Sequence, residues 1–139
     1  VMNWKRVFLA GLVIYVVFQG LGFVIDNVFL KSAYDELKTL WRPDMMHRMW
    51  VTYVAGLLFA FLFTYIFVKG REGKGIQEGV RFGIIIWLFA TVPVYVNMWV
   101  VFPIPHMLIL RWMLFGLLLS LIGGILAAVI YKPAGPAKA

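Results

Sequence analysis

An all-α, four-helix transmembrane bundle is the fold class this sequence predicts, and three observations predict it. Four runs, Val7–Ile25, Met49–Val68, Phe82–Leu110 and Trp112–Tyr131, contain no Asp, Glu, Lys or Arg. Each comes close to or exceeds the ~20 apolar residues that a helix rising about 1.5 Å per residue needs to cross a hydrocarbon layer. The composition agrees: 63% of the 139 residues are hydrophobic and 14% are charged, where a soluble domain carries about 25% charged residues. One domain over 1–132 is expected, with spans near 7–30, 49–68, 82–102 and 112–131 and a flexible tail over 133–139.

The first span opens after Arg6, is loosened by Gly20 and Gly22, and closes on the polar pair Asp26 and Asn27. In Ser32–Trp41 the residues Ala33, Tyr34, Leu37, Leu40 and Trp41 fall at helical spacing, and Pro43 stops the pattern. That predicts a short amphipathic helix lying on the membrane surface between the first two spans. The second span sets Thr52, Gly56, Ala60 and Thr64 four residues apart. After it, Lys69–Gly75 predicts a flexible basic turn whose contact is anionic lipid. It lacks the GxxxxGK[ST] order of a phosphate-binding loop.

The third span holds Pro93, which lacks a backbone N–H and so predicts a kink, with Thr91 placed to satisfy a freed carbonyl. Pro103 and Pro105 end that helix. The fourth span repeats the small-residue spacing of the second in Gly116, Ser120, Gly124 and Ala128. Lipid does not drive helices together by the hydrophobic effect, so small residues that let backbones approach mark the contact faces. Gly56, Ala60, Thr64, Gly116, Ser120, Gly124 and Ala128 are therefore the expected packing residues, with the second helix touching the fourth either within one subunit or against a partner.

Charge sets topology. Lys5, Arg6, Lys69, Arg71, Lys74, Arg81, Lys132 and Lys138 fall on one side of the membrane, against Lys31, Lys38, Arg42, Arg48 and Arg111 on the other. The eight-to-five excess predicts that both termini are cytoplasmic. The formal charge of +7 thus reflects headgroup contact, and no nucleic acid is expected. A fainter pattern places Arg48 on Arg111 and Lys69 on Lys132 when the second span is shifted onto the fourth. It suggests a 2+2 parallel repeat.

Chemistry is sparse. With no cysteine in the chain, disulfides, thiolate metal sites and thiol redox reactions are excluded. Intramembrane polar residues are the default functional suspects because desolvating them is costly; here they are Gln19, Asp26, Asn27 and Asn97. Asp26 is expected to pair with Arg48 or Arg111. His47 and His106 flank loop prolines and match no metal-ligand spacing, so neither a metal nor any other cofactor is expected. No catalytic constellation is present, so an enzyme is not expected.

The run from Tyr65 to Gly83 (YIFVKGREGKGIQEGVRFG), preceded by Leu40-Trp41-Arg42-Pro43 and followed by Phe102-Pro103-Ile104-Pro105, resembles an uncharacterised family of small four-span bacterial integral membrane proteins, a domain of unknown function. The resemblance implies the four-span fold and a bacterial inner membrane, and it carries no catalytic residues across. Small multidrug transporters differ, because they place a glutamate in mid first span where this chain has only Gln19.

Two functions remain open on the sequence. One is a non-catalytic accessory subunit packing against other membrane subunits, in a respiratory or photosynthetic complex, or against itself. The other is a small homo-oligomeric transporter or channel lined by Gln19, Asn97, Thr91 and the Pro93 kink.

Overall fold

The computed structural model describes residues 1–133; apart from Pro133, the tail expected over 133–139 lies outside them. Helix α1 (Trp4–Val24) runs directly into a π-helical turn, Ile25–Phe29, and together they form the first span. The short helix α2 (Lys31–Glu36) and a 3₁₀ turn (Lys38–Leu40) follow. The second span is α3 (Met45–Lys69). The third is α4 (Ile76–Ile86), a second π turn (Trp87–Thr91) and α5 (Val92–Val101). The last is α6 (His106–Ile130). Among the described residues there is no strand, and all four spans are long and apolar enough to cross a membrane. The protein is a multi-pass, all-helical membrane bundle with the expected interfacial helix.

The first, second and fourth spans are longer than the uncharged runs that announced them, and the third begins six residues earlier than expected, at Ile76 rather than Phe82. The reason is that a charge does not end a helix. Glu78 and Arg81 sit within the first two turns of α4, where Glu78 accepts from the backbone of the preceding turn and Arg81 pairs with Glu72.

Both π turns sit where the regular ladder is interrupted. At the first, the Leu30 N–H donates to the Ile25 carbonyl, five residues back, at 3.0 Å. At the second, Val92 N–H donates to the Trp87 carbonyl, again five back, immediately before Pro93. The proline is thus absorbed by one wide turn and sits in the first turn of α5, where its missing N–H matters least. No Thr91 hydroxyl bond is needed there. Its methyl faces the fourth span instead, 2.8 Å from where a Cβ on Gly116 would lie.

The spans form two hairpins, first with second and third with fourth, joined by α1 against α6. Two apolar clusters result. Nearest the chain ends, Ile14, Ala60, Phe63, Phe67 and Ala127 are buried together, with Phe82 against them. At the opposite end Ile25, Leu30, Ile104, Leu108 and Ile109 are buried beneath Ala33, Tyr34, Leu37 and Leu40 of the interfacial segment. No residue of α3 belongs to the second cluster.

Candidate functional site

The small residues of the fourth span face the third, not the second. A Cβ built on Gly124 would collide with the Gly79 carbonyl oxygen and stand 3.2 Å from Gly83 N, while one built on Gly79 would meet the Gly124 carbonyl and lie 3.0 Å from Ala128 Cβ. At Gly83 the obstacle is the Ser120 carbonyl. Gly116, Ser120, Gly124 and Ala128 therefore form one seam with Thr91, Gly83 and Gly79. The Trp87 indole interrupts it and donates to the Met113 carbonyl at 2.9 Å. Gly79 and Gly83 form a GxxxG motif that the sequence displays openly. Treating Arg81 as the membrane boundary hid it.

The second span's small residues serve the first hairpin. Gly56 lies under the Gln19 amide, 2.9 Å from its Nε2 to a built Cβ, and Gly11 lies under the Phe61 ring. Ala60 and Thr64 are fully buried, and the Thr64 hydroxyl donates to the Ala60 carbonyl at 2.9 Å. The second and fourth helices meet chiefly through the Phe63 ring, which lies 3.2 Å from a Cβ built on Gly123. Two small-residue stripes that look alike in sequence thus serve different neighbours. Each hairpin uses its own.

Above Gly56 the second span leaves the bundle. From Met45 to Ala55 no side chain is buried, and all but Met49 are exposed. Thr52, the outermost member of the stripe, faces outward with them. Aromatic contacts pin α1 to α3 from Trp4 against Tyr65 (6.1 Å between ring centroids) up to Phe18 against Phe59 (6.4 Å), and end there.

The opposite flank of the same membrane face is closed by a polar knot. The Tyr34 hydroxyl donates to Asp26 Oδ1 at 3.0 Å and accepts from the Trp112 indole at 2.8 Å, while the Trp41 indole donates to the Tyr34 carbonyl at 3.3 Å. Burial pushes the Tyr34 phenol above its ordinary value, so it stays protonated and able to donate. Asp26 is thus held by Tyr34 and not by an arginine. Arg48 is taken by Asp44, four residues before it, at 2.6 Å, and Arg42 joins at 3.1 Å. These two guanidiniums hold the Asp44 carboxyl below its usual range. Tyr34 carries the knot, and its helical spacing with Leu37 and Trp41 had marked it only as an apolar-face residue.

The remaining polar candidates do not converge. The Asn27 amide donates to its own helix at the Phe23 carbonyl, 2.8 Å away, and Asn97 is exposed on α5. Among the described residues, no three His, Cys, Asp or Glu side chains are grouped to hold a metal ion.

At the end of the bundle where Asn3 meets Tyr131, the basic turn is held by specific contacts. Glu78, buried in α4, accepts from the backbone N–H of Glu72 and, at 2.9 Å, of Lys74. Gly73 and Gly75 supply the left-handed φ values of 81° and 71° that the reversal needs. Glu72 pairs with Lys74 at 2.6 Å and Arg81 at 2.7 Å, which hold its carboxyl below the usual value. Arg71 lies 5.8 Å over the Tyr131 ring, and the Tyr131 hydroxyl accepts from Asn3 N at 3.2 Å.

No family model, no curated protein and no solved structure matches this chain.

Proposed function

We propose that this protein is a non-catalytic accessory subunit of the bacterial inner membrane, with both termini in the cytoplasm. It packs against another integral membrane protein, such as a respiratory or photosynthetic subunit, through the outer half of its second span. The observation that carries this reading is that stretch, Met45–Ala55, which has no buried side chain on any face. Exposure of leucine or valine to lipid costs nothing, but Thr52 and Ala55 are small residues of the kind that membrane helices place against other helices.

The scattering of polar groups supports the same reading over transport by a single bundle. Gln19 sits against Gly56, Thr91 against Gly116, and Asn97 points outward, so they share no interior route. The excess of basic residues around Lys69–Arg81 and both chain ends supports the orientation.

Gentle detergent extraction tests the reading. The expected result is a hetero-complex of fixed stoichiometry that Thr52→Trp or Ala55→Trp dissociates, while the released chain keeps its helical circular dichroism. Purification as a monomer, or as a homo-oligomer that moves solute in liposomes and stops doing so after Asn97→Leu, would overturn it.

A further inference from the structure

Between α2 and the first turns of α6 lies an open cleft of about 260 Å³. Ser32 and Glu36 line one wall and Arg111 the other, over Leu37, Met107 and Leu108. Among the described residues neither Glu36 nor Arg111 takes part in an ion pair. We infer that this cleft seats the headgroup of an aminophospholipid, with its phosphodiester on Arg111 and its primary ammonium on Glu36.

Depth supports the phosphate. Arg111 is five residues into α6, roughly 7.5 Å below its start at about 1.5 Å per residue. A lipid-exposed guanidinium at that level extends toward the headgroups, where its planar donors match a phosphodiester. Its neighbour Trp112, tied to the Tyr34 hydroxyl at 2.8 Å, marks the same interfacial level.

The carboxylate selects the rest of the headgroup. A phosphate brought to Arg111 approaches Glu36 across the cleft, and two anions facing one another are unfavourable without a cation between them. An ethanolamine ammonium supplies that cation and three N–H donors. Choline carries the charge without donors, and glycerol carries hydroxyl donors without the charge. Below the cleft, Leu114 and Leu118 share the face of α6 that holds Arg111, and both are exposed. They give the acyl chains an apolar track continuous with the headgroup site.

Delipidated protein titrated with phosphatidylethanolamine, phosphatidylcholine and phosphatidylglycerol under native mass spectrometry tests this. The wild type should retain phosphatidylethanolamine about tenfold over phosphatidylglycerol, a difference equivalent to about 1.4 kcal/mol. Glu36→Gln should bring phosphatidylethanolamine within about twofold of phosphatidylcholine, and Arg111→Gln should weaken all three. Soluble phosphoethanolamine at equal concentration should leave the lipid in place. Helical circular dichroism identifies variants that fold. Equal retention of phosphatidylglycerol and phosphatidylethanolamine, an unchanged preference in folded Glu36→Gln, or full displacement by soluble phosphoethanolamine would overturn the inference.

Discussion

At Gly124 and Gly79 each backbone lies where the other's first side-chain carbon would be. Backbone carbonyls in two packed helices cannot swing aside as a flexible side chain can. Gly124→Ala should therefore cost about 1–3 kcal/mol, in the range of overpacked cores, read as reduced resistance of the purified protein to unfolding in mixed detergent. Gly20 is the control. Nothing lies within 4 Å of a Cβ built there, so Gly20→Ala should be neutral or stabilising by about 0.5–1 kcal/mol. Half of this seam was legible in the sequence, since Gly116, Ser120, Gly124 and Ala128 follow a strict four-residue spacing. The other half was equally visible as Gly79 and Gly83. Spacing marks a face without naming its partner, and a nearby charge was mistaken for the end of the hydrocarbon layer.

Among the elements, the turn from Lys69 to Gly75 departs furthest from expectation. Glycine and lysine content describes a mobile basic loop, whereas Glu78 reaches back from α4 and binds two of its amides. Hydrogen bonds to a charged group contribute about 1.5–3 kcal/mol. Glu78→Ala should therefore speed hydrogen exchange at Glu72 and Lys74 by at least about tenfold, with α4 itself unchanged; unaltered exchange would show that the carboxylate does not hold the turn. The π turns tell a similar story. Pro93 announced an irregularity, but a wide turn placed just before it, secured by Trp87 on Met113, needs the neighbouring helix to be known. The interfacial helix was more readable because its apolar face is written locally in Ala33, Tyr34 and Leu37.

As a whole molecule the two hairpins share a topology and differ in how they close. Glycine seams bring α4 and α6 together, whereas aromatic rings and Gly56 join α1 to α3 over only part of their length. The absence of cysteine makes this directly measurable, because single cysteines can be introduced one at a time along α3 and spin-labelled. Oxygen accessibility should rise and fall with helical period from Gly56 to Phe67, with minima at Ala60, Phe63, Thr64 and Phe67. It should stay uniformly high from Met45 to Ala55 in the isolated protein. A periodic pattern across the outer half would mean that this segment is covered within the single chain. The number of spans was legible from hydropathy alone; the divergence of α3 was not, because lipid-facing and partner-facing apolar residues are the same residues.

The tie between Asn3 and Tyr131 bears on how the bundle is made. Asn3 N donates to the Tyr131 hydroxyl, and the Asn3 amide donates to the Lys132 carbonyl at 3.1 Å. The start of the first span is thus fastened to the end of the fourth. The first span packs against both the second and the fourth, so the first hairpin by itself holds only part of the contacts that bury α1. The tie of Asn3 to Tyr131 and Lys132 therefore forms only when the first and fourth spans stand side by side, so it reports closure of the whole four-span bundle and not of either hairpin alone.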